Sequence, residues 1–261
     1  MSTPLRVGII GLGARCSIVE NCQLSSVPAE LVGGCDPNPA MRERAREILG
    51  DHPWVESLEE LLDLGIDAAI VTSPDDTHED ITCQLLEAGV AVYLEKPIAI
   101  TIEGADRVLE TAYRTRTPLY VGHNMRHMAV VRILRQVIRD GLIGEVRAIW
   151  CRHFVGNGGD YYFKDWHADR SRTTGLLLQK AAHDIDVMNW LSDSVPERVV
   201  GMGDLMVYGK LTDRSGQRRD SVMSDWFSYE NWPPESLTGL NPVIDVEDLS
   251  MFMMRQVSGT M

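Results

Sequence analysis

The sequence is 261 residues long, 44% hydrophobic and 24% charged, the make-up of an ordinary globular protein with room for two modest domains. Acidic side chains outnumber basic ones 38 to 25. The net charge of −13 argues for solubility and against nucleic acid as a partner, though backbone amides at a helix N-terminus can still hold an anionic cofactor. No run approaches the roughly 20 apolar residues of a membrane span, so no membrane is expected as a partner.

The chain opens with a strand over Leu5–Ile10 directly after Met-Ser-Thr-Pro, which predicts no signal peptide. A helical stretch over 14–24 follows, then a strand at 31–35 and a charged amphipathic helix over 39–49. Ser57-Leu58-Glu59-Glu60 has the S-x-x-E form of a capping box before a short helix. A strand at 68–72 leads to a helix over 76–88, with Ile81, Leu85 and Ala88 on one face and Gly89 closing it. The apolar run at 90–94, a helix at 102–115 and a strand at 119–122 complete the series. Strands alternating with helices at this spacing predict an α/β domain with a doubly wound parallel sheet over residues 1–122.

Beyond Gly122 the rhythm changes. Residues 128–140 read as a helix with Val131, Leu134 and Ile138 on one face and Gly141 ending it. Residues 145–155 alternate like a strand, and Asn157-Gly158-Gly159-Asp160 reads as a loop. A helix over 179–191 precedes three strand-like runs near 198–209, 220–229 and 246–257. This pattern predicts an α+β domain over 123–261 with an open, mainly antiparallel sheet.

Three stretches of the first half carry chemistry. Gly11-Leu12-Gly13-Ala14-Arg15-Cys16 is a G-x-G-x-x-C turn after the first strand. The first glycine of such a turn permits the bend and the second lets the backbone approach a pyrophosphate; Cys16 stands where a third glycine is usual. Asp36 closes the second strand about 25 residues beyond Gly11, near the spacing of the acid that binds a ribose 2′-hydroxyl. A carboxylate there repels a 2′-phosphate, so NAD is expected rather than NADP. Thr72-Ser73-Pro74 and His78 follow the next strand and are candidates to line the ribose–nicotinamide channel. Glu95-Lys96-Pro97 then ends the 90–94 run abruptly, placing a lysine and a carboxylate past a strand's carboxyl end. In open α/β sheets that edge is where ligands bind.

Together with Asn124, Arg126 and His183, these residues resemble the Gfo/Idh/MocA family, the glucose–fructose oxidoreductase and inositol dehydrogenase relatives. The resemblance covers essentially the whole chain, and Glu95-Lys96-Pro97 is its most specific element. It implies a Rossmann domain for nicotinamide nucleotide, then an α/β domain whose sheet often joins subunits, hence a homo-oligomer. It also implies hydride transfer between nicotinamide and a hydroxyl carbon of a sugar, cyclitol or similar polyol. The cofactor contacts so implied are Gly11, Gly13, Ala14, Arg15, Asp36, Thr72, Ser73, Pro74, His78, Glu95, Lys96 and Asn124. Lys96 and His183 would be the catalytic pair, and the Lys96–Pro97 peptide would be cis. Read from the residues themselves, Arg126, Trp166, His167 and Arg170 are further candidates for substrate hydroxyls or for walling the nicotinamide pocket, beside Lys96, Lys180 and His183 as substrate contacts. The family commonly has an aspartate four residues before that histidine; Gln179 occupies the position here and cannot exchange a proton.

Oxidising a secondary alcohol requires a base to take the hydroxyl proton as hydride leaves, and histidine suits this at neutral pH. On a helix Asp186 neighbours His183 and could orient its ring. Lys96 supplies positive charge to a developing alkoxide. The five cysteines, Cys16, Cys22, Cys35, Cys83 and Cys151, form no CxxC pair, which predicts reduced thiols, a cytoplasmic setting and no metal. Residues 246–261 read as a strand and a Ser-Gly turn whose return strand is cut short, as in a C-terminally shortened family member. Two other readings fit the same residues: an NAD-using glycosidase, and a catalytically inactive nucleotide-binding regulatory protein.

Overall fold

The computed structural model describes residues 3–24, 27–155, 159–216 and 237–261. It forms two compact units that meet in sequence between Gly122 and His123.

The first unit is built on a six-stranded parallel sheet. Its strands are β1 (Leu5–Ile10), β2 (Ala29–Cys35), β3 (Trp54–Val55), β4 (Ala68–Val71), β5 (Ala91–Leu94) and β6 (Leu119–Val121). They lie in the order β3-β2-β1-β4-β5-β6, so the chain reverses direction across the sheet between β1 and β4. Helices α1 (Pro39–Leu49), α2 (Leu58–Asp63), α3 (His78–Glu87) and α4 (Ile102–Thr115) form the crossovers.

Local chemistry sets these helix ends. Asn38 accepts from the Ala40 N–H, Ser57 from Glu60 and Thr101 from Gly104, each answering an otherwise orphaned first-turn donor. The Glu60 carboxylate of the capping box reaches back one residue further than usual, to the Glu56 N–H at 2.9 Å. Gly89 closes the α3 turn at a φ of 78°. The predicted helix at 14–24 is instead a 3₁₀ segment over Cys16–Leu24. Its Ser, Ile, Val, Asn and Cys residues are weak helix formers.

Both faces of the sheet are buried towards the strands' carboxyl ends, which is why those ends are apolar while Arg6 and Glu30 stand at the opposite, exposed edge. On one face Ile9 packs with Val7, Leu12, Cys16, Val19, Met41 and Ala45. On the other, Ile10 joins Leu61, Val71, Leu85, Leu86, Val92 and Leu94.

The second unit combines short helices with one antiparallel strand pair. Its helices are α5 (Ala129–Arg139), α6 (Tyr161–Lys164), α7 (Arg170–Thr173) and α8 (Ala182–Ser192), the last preceded by a π-helical turn over Leu177–Ala181. On α5 Val131 is buried, but Leu134 of the same predicted face is 45% exposed. Strands β7 (Pro196–Asp204) and β8 (Leu249–Gln256) pair antiparallel. The predicted strand at 220–229 and residues 157 and 158 of the predicted loop lie outside the described residues.

Residues 145–155 form no strand. Their backbone bonds with the chain's end are isolated: Ile149 N–H donates to Met261 O, Met261 N–H to Arg147 O, and the Thr260 hydroxyl to Val146 O. Alternation marks a segment able to enter a sheet, but a ladder also needs a partner strand. The Ser258–Gly259 turn does form, and Gln256 N–H donates to Thr260 O across it.

Candidate active site

The carboxyl ends of β1, β2, β4 and β5 carry the first unit's candidate residues. Gly11 follows β1 at a φ of 88°, and a Cβ there would stand 2.4 Å from the Ser73 nitrogen. The protein's own backbone therefore requires this glycine. Gly13 differs: a Cβ built on it meets nothing within 4 Å. No protein neighbour accounts for its missing side chain, and the open space over it suits a ligand's pyrophosphate. Cys16 is 2% exposed and packs into the core beneath the turn, so a small apolar side chain is accommodated where a third glycine is usual. Burial raises its thiol pKa.

Asp36 ties this turn to the end of β2. One carboxylate oxygen accepts from Leu12 N–H and the other from Asn38 N–H, each at 2.9 Å. Each oxygen keeps lone-pair capacity for a ribose hydroxyl. Arg42 lies beside it, but its guanidinium donates to Asp36 O at 2.8 Å and pairs with Glu56 at 2.7 Å. That cation is engaged where a 2′-phosphate would need one. The sequence reading missed Arg42, which looked like one of several surface charges on α1.

The β4 and β5 exits are laced to the glycine turn. Thr72 donates its hydroxyl to Gly11 O at 2.7 Å, and Ser73 Oγ accepts from Thr77 at 2.7 Å. Glu95 N–H donates to Val71 O, joining the two exits through the sheet. Arg15 grips the Glu95 carboxylate through Nε and Nη2, at 3.2 and 2.9 Å, while the other Glu95 oxygen accepts from Lys96 N–H at 3.1 Å. Glu95, which the resemblance implies as a cofactor contact, is 7% exposed and braces the two turns.

His78 also departs from expectation. It is 1% exposed, with Nδ1 2.7 Å from Pro97 O and Nε2 2.9 Å from Ser73 O. Each ring nitrogen faces a protein carbonyl, and the single N–H of the neutral ring donates to one of them, so the ring clamps the two loops in the folded chain. Burial pushes its pKa below the ordinary histidine value.

The Lys96–Pro97 peptide is cis. Lys96 is partly buried, and desolvation lowers its pKa against the pull of Asp75 and Glu95, which favour the ammonium.

In the second unit, His183 lies in the first turn of α8, just after the π-helical turn that buries Gln179. Such π turns recur at functional sites. The His183 ring meets His123 edge-on, centroids 6.0 Å apart. Asp186, expected to orient His183, is held by Arg126 through two bonds of 2.7 and 2.5 Å. That pairing joins residues 60 apart, which helical spacing does not reveal. Asn124 is exposed in a 3₁₀ turn, Asn124–His127. Trp166 stacks on His167 with centroids 3.6 Å apart, and the Lys180 ammonium sits 4.6 Å over the Tyr162 ring. Arg170 is engaged with Asp245 and Glu247.

Residues 5–123 match the model of the oxidoreductase family with an NAD-binding Rossmann fold, GFO_IDH_MocA, and residues 131–261 match the GFO/IDH/MocA C-terminal domain. The chain belongs to the GFO/IDH/MocA family.

Among its relatives is the inositol 2-dehydrogenase of Rhizobium meliloti (strain 1021), 28% identical over 84% of this chain and 64% of that protein. The glucose-6-phosphate 3-dehydrogenase of Bacillus subtilis (strain 168) is 30% identical over 74% of this chain and 56% of its own length. The chain thus spans less than two thirds of either relative. The crystal structure of myo-inositol 2-dehydrogenase from Lactobacillus plantarum shares the fold, with a TM-score of 0.77, 19% identity, and coverage of 99% of this chain and 68% of that one. The first unit is accordingly the NAD-binding Rossmann domain of a GFO/IDH/MocA protein. The open space at Gly13 and the Asp36 carboxylate fit that cofactor. Among the described residues no cluster of His, Cys, Asp and Glu could hold a metal, and no helix is long and apolar enough to cross a membrane.

Proposed function

We propose that the protein is an NAD-dependent dehydrogenase acting on a secondary hydroxyl of a sugar, cyclitol or related polyol. The observation that carries this reading is the shared ligand edge of the first unit. There a glycine turn open at Gly13 and anchored by Asp36 lies beside a strand exit that presents Lys96. The dinucleotide, when bound, supplies the hydride acceptor. Asp36 receives the ribose hydroxyls and, with Arg42 engaged elsewhere, disfavours a 2′-phosphate. Lys96 places positive charge where an alkoxide develops and lowers the barrier electrostatically. In the second unit His183 is the candidate base for the hydroxyl proton, and Arg126, Trp166 and Lys180 are candidate substrate contacts. The substrate class follows the relatives named above, both of which act on cyclic polyhydroxy compounds by their names.

The five free thiols suit a reducing, cytoplasmic compartment. Val200 and Met202 on β7 face the same side as Met251 and Met253 on β8, all at least 60% exposed, and a second copy of the chain is the proposed cover for this apolar sheet face.

A screen of inositols, aldoses and sugar phosphates at the NADH absorbance tests the activity, with cofactor titrations by fluorescence beside it. Reduction of NAD by a polyol supports the reading. NADPH bound tighter than NADH, or no NADH bound at all, overturns the role given to Asp36. Sedimentation at graded concentrations decides the self-association.

A further inference from the structure

Asp75 is a buried carboxylate to which the reading above gives no work. It opens the 3₁₀ turn Asp75–Thr77 after β4 and is 4% exposed. A carboxylate taken out of water is retained when a cation and hydrogen bonds compensate it. Three features bring its loop onto the Lys96 turn. Strands β4 and β5 are parallel neighbours in register, Val71 beside Leu94. The Glu95 N–H donates to Val71 O at 2.9 Å, so the two strands exit together. The His78 ring, three residues beyond Asp75, closes the far side by meeting Pro97 O at 2.7 Å and Ser73 O at 2.9 Å.

Among the described residues the charges that act on Lys96 are those of Asp75 and Glu95, which favour its ammonium, and of Arg15, which opposes it. Glu95 is drawn off by Arg15, which pairs with it at 2.9 Å. The Arg15 charge itself works against a second cation, and His78, pushed towards its neutral form, adds little. Asp75 is therefore the leading carboxylate influence on the lysine. In the second unit the residue four before His183 is Gln179, whose amide carries no charge.

We propose that Asp75 is the counter-ion of Lys96: a positioning residue that keeps this lysine charged and holds its ammonium at the β5 exit. The inference rests on the dehydrogenase reading for its catalytic consequence, but the charge pair can be tested without it. At neutral pH Asp75 offsets the desolvation of the ammonium. As pH rises the lysine loses its proton, and the electrostatic help to an alkoxide goes with it. Without the Asp75 charge, that loss comes at lower pH.

The chain contains four lysines, Lys96, Lys164, Lys180 and Lys210, so a carbon-13 lysine label gives a spectrum simple enough to follow each Cε through a pH titration. Lys96→Arg assigns the resonance. In Asp75→Asn the Lys96 midpoint should fall by about one pH unit, the scale of a nearby opposite charge. The other three lysines should hold theirs, and Asp75→Glu should restore much of the Lys96 shift. An unmoved Lys96 midpoint in folded Asp75→Asn overturns the proposal. Should that variant fail to fold, the parent decides: its Asp75 carboxyl carbon should report the Lys96 midpoint, and no inflection there overturns the pairing. With an active substrate in hand, the alkaline limb of kcat should move in the same direction in Asp75→Asn while the Kd for NADH stays level. Absence of turnover in the parent counts against the dehydrogenase reading alone, since the titration needs no substrate.

Discussion

Arg15 in the glycine turn after β1 and Glu95 at the exit of β5 are joined by a two-pronged contact of 3.2 and 2.9 Å, although 80 residues separate them. The two ends are not equivalent. The Glu95 side chain is 9% exposed and that of Arg15 is 53% exposed.

This asymmetry makes a prediction about stability. Arg15→Ala takes the guanidinium from a buried carboxylate that keeps the Lys96 N–H, a loss of about 1–3 kcal/mol. Glu95→Gln leaves a half-exposed guanidinium that water can serve, and should cost less than about 1 kcal/mol. Urea unfolding of both variants checks the order. If Glu95→Gln proves the more damaging, the brace is not what holds the turn.

Gly11 and Gly13 separate a structural glycine from a ligand-facing one. Alanine at 11 would combine a φ of 88° with a Cβ 2.4 Å from Ser73 N, and should destabilise by about 3 kcal/mol or more. Alanine at 13 meets open space, so stability should stay within about 0.5 kcal/mol of the parent. The same methyl should weaken NADH about tenfold, or about 1.4 kcal/mol, because it occupies the pyrophosphate's approach. Thermal unfolding and a fluorescence titration give both numbers. A Gly13→Ala protein that binds NADH as the parent does would remove this turn from the cofactor site.

Much of the first unit is legible because each element carries its own period and its own cap. Thr101 and the spacing after it give α4 its observed bounds, and Asn38-Pro39 does the same for α1. The residues that act through space are not legible in this way. Asp75 looks like any acid near a helix start, and only the approach of the β5 turn gives it a lysine to face. Asp186 sits at helical spacing from His183, yet Arg126 claims it from the turn before α5. The alternation at 145–155 has the period of a strand and lacks a ladder among the described residues. Periodicity reports which face a segment can bury; it does not report what arrives on the other side.

The His78 clamp gives folding a pH dependence whose sign can be worked out. Burial lowers the imidazole's pKa in the folded chain, while the unfolded chain titrates near the ordinary value of about 6.5. Above that value neither state is protonated and the clamp contributes in full. As pH falls from about 6.5 towards the lowered native value, the unfolded state takes up a proton that the native state refuses, so stability declines by up to about 1.4 kcal/mol per pH unit. Below the native value the decline from this group stops. His78→Gln can still bond a carbonyl but cannot titrate. It should be less stable than the parent by about 1–2 kcal/mol at pH 7.5, because a flexible amide fills the buried ring's site less well and gives up rotamer freedom to reach the carbonyl that the neutral ring's single N–H served. Between about pH 6.5 and 5 the gap should narrow, because only the parent carries the penalty. The other histidines are common to both proteins and cancel in the difference between their urea midpoints. Parallel curves over that range would mean that the His78 ring is protonated in the folded protein, donating to Pro97 O and Ser73 O together.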